Sequence, residues 1–398
     1  MSLTCVAAFL LTVFGVLLLT LVGLLLVEIV ASARRLGSPG APPVDRPSIA
    51  VLVPAHDEVL SIVATLNSIR SELAGSDRLV VVADNCTDQT AELARAAGAE
   101  VIERHDPLRR GKGFALDYGV RHLANYPPDV VIINDADCWP ETGAYSRIAV
   151  MADRASRPVQ AAYAIGKPKN VTSLYLDFAV FAIRVKNLAR PLGCHRLGLP
   201  CQLMGTGMAF PWALISKADL ATSEIVEDLA YGLEFARVGH PPMYCPSAVV
   251  ASAFPITQEG QDTQRTRWDS GHLNTIVHGL PGLLAEAVRR RNFALLAMVL
   301  DAAIPPLAFL VFVIVAFGLL AVLMALLGGS LVPLSLALAA GLIFAMAVLL
   351  AWWRVGRDTI SLGALACAPV YVLSKLALYS GFLAGRKVEW VRSKRDTK

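Results

Sequence analysis

Nothing in this chain groups its cysteines. Seven are scattered, at Cys5, Cys86, Cys138, Cys194, Cys201, Cys245 and Cys367; none forms Cys-x-x-Cys and the count is odd. That pattern excludes a zinc ribbon and a disulfide framework, and it fits reduced cytosolic thiols. A charge excess is missing too: a formal net charge of +4 over 398 residues implies no polyanionic partner such as nucleic acid. No Gly-x-x-x-x-Gly-Lys-Ser/Thr loop is present, and Arg109-Arg110-Gly111-Lys112-Gly113 does not supply one. The first apolar run has no basic segment before it. Together with its length this argues against a cleaved signal peptide, although Ala31-Ser32-Ala33 has the look of a cleavage site.

What the chain does have is apolar surface. A hydrophobic content of 55% and a mean hydropathy of +0.54 are too high for a purely soluble protein, and the excess sits at the two ends. Residues 3–30 exceed the roughly 20 needed to cross a bilayer. Arg34 and Arg35 follow, which by the positive-inside rule places the amino terminus outside and the next segment in the cytoplasm. Residues 293–327 are longer than one membrane thickness and contain Asp301 and Pro305-Pro306, so a broken or interfacial first part and a spanning second part are expected. Residues 331–353 span back, with Arg354 and Arg357 at the inner face. The last apolar stretch, 362–383, carries Lys375 in its middle and leads to a basic tail. Three spans plus an interfacial or re-entrant segment satisfy the charge rule best.

Between the ends the rhythm changes to alternating strands and helices, the pattern of a βαβ sheet. Strands are expected at 49–53, 79–83, 99–102 and from Val130, with helices at 62–73, 90–97 and 113–123. The expected division is a membrane helix over 1–33, a linker over 34–47 and a cytosolic α/β domain over 48–270. An interfacial amphipathic segment over 271–292, ending at Pro281 in its apolar pattern, membrane or interfacial helices over 293–385 and a basic tail over 386–398 follow. The amphipathic stretch 171–188 either covers the sheet or lies on the membrane, where Arg184, Lys186 and Arg190 would suit anionic headgroups.

Candidate chemistry gathers at strand ends. The run Val130-Val131-Ile132-Ile133 leads into Asn134-Asp135-Ala136-Asp137. Strand alternation points Asp135 and Asp137 the same way, so they can converge on Mg²⁺ or Mn²⁺, unless Asp-x-Asp is only a solvated turn. Asp57, Glu58 and Asp84 end the first two strands and can hold a ribose or base edge; helix capping is the alternative for Asp57 and Asp88. Lys112 lies in a glycine-bearing loop before a helix, a setting that favours phosphate. Gly205-Thr206-Gly207 permits close backbone approach or a β-bulge. Glu227 and Asp228 open a helix, either as ordinary N-terminal acids or with Asp228 as a general base. Gln264-Arg265-Thr266-Arg267-Trp268 joins cations that can grip a pyrophosphate to an indole that can stack on a sugar, with membrane contact as the alternative.

The ordered set Pro54-Ala55-His56-Asp57-Glu58, Asp84, Gly111-Lys112-Gly113, Asp135-Ala136-Asp137, Glu227-Asp228 and Gln264-Arg265-x-Arg267-Trp268 resembles membrane-integrated family 2 glycosyltransferases, among them the cellulose, chitin, hyaluronan and poly-N-acetylglucosamine synthases. The resemblance implies a GT-A fold, an α/β domain with a Rossmann-like mixed sheet flanked by transmembrane helices. It also implies inverting transfer from a nucleotide diphosphate sugar, a UDP-hexose or UDP-N-acetylhexosamine, to a glycan or lipid-linked acceptor at the membrane. In that scheme Asp84 contacts uracil, Lys112 the nucleotide, and Asp135 and Asp137 the metal-bound diphosphate. Asp228 is the base, Glu227 lies beside it, and Gln264, Arg265, Arg267 and Trp268 close over the donor. Two departures, Ala83 before Asp84 and Val226 before Glu227, fall on base and acceptor contacts. A non-enzymatic membrane subunit of a glycan export complex is the competing reading, resting on the apolar carboxyl half and Asp301.

Overall fold

The computed structural model describes residues 3–33, 40–168, 171–222, 224, 226–375 and 379. Helix α1 (Leu3–Ser32) precedes β1 (Ile49–Ala55), α2 (Ile62–Arg70), β2 (Arg78–Asp84), α3 (Thr90–Ala96), β3 (Glu100–Arg104), α4 (Lys112–Leu123) and β4 (Val130–Ile133). Then come β5 (Trp139–Pro140), α5 (Ala144–Ala155), β6 (Val159–Gly166), α6 (Leu174–Arg184), α7 (Arg190–Arg196), β7 (Met208–Pro211), α8 (Trp212–Ile215), α9 (Glu227–Arg237) and β8 (Met243–Ala253). The rest is helical: α10 (Gln258–Asn274), α11 (Leu280–Arg289), α12 (Phe293–Ala302), α13 (Leu307–Leu326), α14 (Val332–Ala351), α15 (Leu362–Leu365) and α16 (Ala368–Ser374).

The eight strands form one sheet in the order β3-β2-β1-β4-β7-β6-β8-β5. Strands β3, β2, β1 and β4 are parallel, whereas β7 pairs antiparallel with both β4 and β6. The β-branched runs explain the parallel half. Ile49, Val51 and Val53 face one core with Tyr145 and Ile148, while Ala50 and Leu52 face the other with Val80, Val82 and Leu116. Both faces are covered, as strands of continuous apolar sequence require. Chain order reverses direction across β1, so the crevice at the carboxyl ends of β1 and β4 is a switch point where ligands of open α/β sheets collect.

Helices α6 and α7 are one rod, joined through a π-helical segment at Val185–Ala189. The rod lies between the sheet and the membrane-type helices: Leu176, Ala179 and Val180 pack into the sheet core, and Phe178 and Phe181 into a cluster with Leu18, Val22, Leu25, Ala337 and Ala340. It therefore does not display its cations as one headgroup-binding face. Arg184 pairs with Asp358 and Arg190 is buried against Glu28 and Asp301. The helix after β8 also differs from expectation, because it does not stop at Pro281. A second π-helical segment, Thr275–Gly279, precedes Leu280, and proline in the first turn of α11 has no amide that needs a partner.

Among the described residues three helices are long and apolar enough to cross a membrane: Thr4–Ser32, Leu307–Leu326 and Val332–Gly356. The break after α12 falls at Pro305-Pro306, and between Ser361 and Lys375 the chain forms two short helices. Arg34, Arg35, the end of the 362–383 stretch past Lys375 apart from Tyr379, and the tail over 386–398 lie outside the described residues. Contact between α1 and α7 is set by Gly193, where an added Cβ would meet the Glu28 carbonyl oxygen at 2.0 Å. Backbone cannot yield as a side-chain tip can. Gly193→Leu is therefore expected to lower stability by about 3 kcal/mol, the upper range for overpacking, read as a lower thermal unfolding midpoint of the detergent-solubilised protein. An unchanged midpoint would mean that α1 is free to move away from α7.

Candidate functional site

Beyond Ile133 the chain leaves the sheet, and Asp135 and Asp137 belong to a turn. Cys138 N–H donates to the Asp135 carbonyl at 3.1 Å, and the buried Asn134 amide donates to the Asp135 and Cys138 carbonyls, each at 2.9 Å. The two carboxylates thus converge through turn geometry instead of strand alternation. Their oxygens and the Cys138 sulfur lie within 4.8 Å of one another. Burial, the largest effect, and the neighbouring aspartates push the Cys138 thiol well up, so it stays protonated and leaves two hard oxygen donors. That pair suits Mg²⁺ or Mn²⁺.

Lys112 opens α4 and points across the crevice. Its Nζ donates to the Gly205 carbonyl at 2.7 Å and sits 2.5 Å from Asp135 and 3.6 Å from Glu227. Burial opposes its charge, but Asp135 and Glu227 outweigh that and hold the ammonium above its usual range. Gly205 has a φ of +87°, and an added Cβ would stand 3.3 Å from Lys112 Nζ, 3.4 Å from Asp228 Oδ2 and 3.9 Å from Asp135 Oδ2. Three charged groups therefore surround one point on a loop that only glycine fits easily. The loop is braced by Gln160, which is fully buried; its amide donates to the Thr206 carbonyl at 2.9 Å and accepts from Met204 N–H at 2.8 Å.

Asp228 is the second residue of α9, and its Oδ1 accepts from Leu229 N–H at 2.9 Å. Burial raises the carboxyls of both Glu227 and Asp228, and Lys112 offsets part of this; the Asp228 charge adds to the rise of Glu227, bringing it to about 7, and the Asp135 charge adds to that of Asp228. At the carboxyl end of β2, Asp84 is buried and accepts from Arg104 at 2.6 Å and from the Asn85 amide at 3.0 Å. His56 donates through Nδ1 to the Asp84 carbonyl at 2.7 Å, and the Glu58 carboxylate accepts from Ser61 at 2.9 Å.

One cavity of about 280 Å³ joins these groups. Glu58, Asp84, Lys112, Asp135, Asp137, Glu227, Asp228, Gln264, Arg267 and Trp268 all line it. Two expected members do not. Asp57, at a φ of 53°, turns its carboxylate to Thr87 N–H at 2.6 Å and Asp88 N–H at 3.3 Å, fastening the β1 loop to the β2 loop. Arg265 is on the far face of α10, its guanidinium 4.7 Å from the Tyr175 ring centroid and 5.2 Å from that of Tyr371. Helical spacing explains this: 264, 267 and 268 are three and four apart and share a face, and 265 does not. The cavity also runs past Asp228 to Lys186, Asn187, Arg190, Gln202 and His272, which the sequence reading did not place in the site. For Lys186, Asn187 and Arg190 the signal is polar residues recurring on an otherwise apolar rod; Gln202 and His272 carry none.

The comparisons with known proteins fit this geometry. A profile of the family described as "Glycosyltransferase like family 2" matches residues 47–271. The probable glycosyltransferase YdaM of Bacillus subtilis is 25% identical over 242 residues, 57% of this chain and 55% of that protein. Glucosyl-3-phosphoglycerate synthase of Mycolicibacterium paratuberculosis is 38% identical over 96 residues, 23% of this chain and 28% of that protein. The chain thus spans about half or less of the length of these curated relatives. Among solved structures, the mannosyltransferase PcManGT of Pyrobaculum calidifontis, in complex with GDP-Man and Mn²⁺, aligns with a TM-score of 0.52 and 20% identity over 95% of this chain and 100% of that one. That likeness carries the GT-A fold. The family match extends over more than half of the residues and over every strand of the sheet, and the chain belongs to glycosyltransferase-like family 2.

Proposed function

We propose that this protein is a membrane-integrated, inverting glycosyltransferase that moves a sugar from a nucleotide diphosphate sugar to a hydroxyl of a glycan or lipid-linked acceptor, in cell-surface polysaccharide synthesis. The observation that carries this reading is the gathering of Lys112, Asp135 and Asp228 around Gly205 in one cavity. The nucleotide lies toward Asp84, Glu58 and His56. Asp135 and Asp137 would hold a divalent cation, which would supply charge neutralisation for the diphosphate. Asp228 takes the proton from the acceptor hydroxyl as its oxygen bonds to the anomeric carbon on the face opposite the leaving group. The bond from that carbon to the diphosphate oxygen breaks with its electron pair, and Lys112 and Arg267 stabilise the charge that develops. Glu227 keeps Lys112 in place. Trp268 stacks on the sugar.

The membrane arrangement has the amino terminus outside, the α/β domain in the cytoplasm and three spans, by the charge rule. Asp301, which favoured a transporter or scaffold, is 2.6 Å from Arg190 in an ion pair at the edge of the cavity, so that rival loses this part of its support. The donor test uses protein purified in detergent and a panel of UDP- and GDP-sugars. Nucleotide release is expected from one or a few donors with Mn²⁺ or Mg²⁺, falling to background on chelation and returning when metal is restored. Release that ignores chelation would remove the metal assignment, and no release from any donor would remove the transferase reading. A ladder or a single adduct from one labelled donor then separates polymerisation from single addition.

A further inference from the structure

Gln160 is the second residue of β6, and it has no exposure to solvent. A side-chain amide in such a place costs stability unless its polar atoms find partners. Here they do: Nε2 donates twice, to the Ala161 carbonyl at 2.8 Å and to the Thr206 carbonyl at 2.9 Å, and Oε1 accepts from Met204 N–H at 2.8 Å. Two of these bonds go to one loop. Strand β7 pairs with β6 only where Met208 and Ala209 lie opposite Gln160 and Val159, and the last main-chain link runs from Ala161 N–H to the Gly207 carbonyl at 2.8 Å. Before that point the chain turns away, through Gly205 at a φ of +87° and Gly207 at +63°. There the Gln160 side chain does what a neighbouring strand would do, holding Met204 and Thr206 at a set separation.

Further contacts lead from this loop into the cavity. The Gly205 carbonyl accepts from Lys112 Nζ at 2.7 Å, and the buried Thr206 hydroxyl accepts from Asp135 N–H at 3.1 Å. Lys112 Nζ is also 2.5 Å from Asp135 Oδ1, so the ammonium competes with a metal ion for the same carboxylate. The Gly205 carbonyl gives that ammonium a second partner and limits how far it settles on Asp135. Thr206 meanwhile pins the main chain of the turn that carries Asp135 and Asp137. Both effects depend on where three consecutive residues sit, and Gln160 holds the first and the third of them.

Resting on the transferase reading above, we propose that Gln160 is a positioning residue of the active site: without lining the cavity, it fixes the 204–206 loop and through that loop the placement of Lys112 and of the cation-binding Asp135. An apolar side chain of the same length offers nothing to Met204 N–H or to the Thr206 carbonyl, so the loop would be free to shift, and Lys112 with it. A protonated carboxyl, in contrast, can still accept from the one and donate to the other.

The test compares the full chain in detergent with Gln160→Met, Gln160→Glu, Thr206→Val and the double variant Gln160→Met, Thr206→Val. Binding of Mn²⁺ is titrated by electron paramagnetic resonance in slightly acid buffer without nucleotide, and turnover of nucleotide release is measured separately. Gln160→Met is expected to weaken Mn²⁺ about tenfold and to lower turnover about tenfold to a hundredfold, the range for groups that orient a metal ligand. Gln160→Glu, whose carboxyl burial keeps protonated, should recover most of both. Thr206→Val removes the hydroxyl that receives Asp135 N–H and should itself weaken Mn²⁺, and the double variant should be little worse than Gln160→Met, because the two act along one route. Loss of folded protein would instead lower the number of Mn²⁺ sites and leave their affinity unchanged. That result, wild-type affinity in Gln160→Met, no recovery in Gln160→Glu, or additive losses in the double variant would each overturn the proposal. Should Gln160→Met not accumulate, wild-type affinity in Thr206→Val alone would overturn it. A wild type that binds Mn²⁺ and releases nucleotide keeps the transferase reading whichever way the variants fall, so the two failures are distinct.

Discussion

Asp228→Asn is expected to reduce the turnover of glycosyl transfer by about a thousandfold, within the range for loss of a general base, while the KM for the sugar nucleotide changes little. Asparagine keeps the shape of the side chain and an oxygen for the Leu229 N–H, 2.9 Å away, so the site stays assembled and only the proton acceptor goes. The pH profile supplies a second readout. A carboxyl whose pKa is raised, as burial and the Asp135 charge raise Asp228, works as a base only above that pKa. Turnover of the wild type should therefore fall with decreasing pH at a point above the ordinary carboxylate range. Full turnover in Asp228→Asn would end the assignment, and an acid limb inside the ordinary carboxylate range would show that another group titrates.

The largest effect on stability is expected at Arg190. Its guanidinium, buried at 7% exposure, joins Glu28 of α1 to Asp301 of α12, so one side chain ties the first membrane-type helix and the helix before the second to the rod beside the sheet. Arg190→Ala leaves two enclosed carboxylates without a counter-charge, a change that typically destabilises by about 3–5 kcal/mol. The triple variant Arg190→Met, Glu28→Gln, Asp301→Asn removes the charges together and should recover most of the loss. The measurement is the thermal unfolding midpoint in detergent for the single and triple variants. Midpoints that fall equally would mean that packing, and not uncompensated charge, is what Arg190 supplies.

How far the sequence alone reaches is clearest at Asp135 and Asp137. Four apolar residues followed by two spaced acids announce a buried strand ending in a charged site, because an unbroken apolar run and abrupt polarity are both written in the chain. The manner of convergence is not, since the turn depends on Asn134 finding carbonyls at Asp135 and Cys138. The parallel half of the sheet and the three long apolar helices follow from local pattern for the same reason. Strand β7 does not: its antiparallel pairing with β4 and β6 is a tertiary choice. Asp57 and Arg265 were misplaced because motif membership says nothing about direction. For Arg265 the helical period alone separates it from Gln264, Arg267 and Trp268 once α10 is recognised as a helix.

The position of Arg265 bears on how the chain can be shortened. Among the described residues none that lines the catalytic cavity comes after Ala302, and the third apolar helix is complete at Gly356. A truncation there would look harmless. Yet Tyr371, on α16, is one jaw of the aromatic vice that grips Arg265 from behind, and the same α10 presents Trp268 to the cavity in front. Cut the chain after the third apolar helix and Arg265 keeps the Tyr175 ring but loses that of Tyr371, so a minimal version of this protein has to keep its carboxyl-terminal segment.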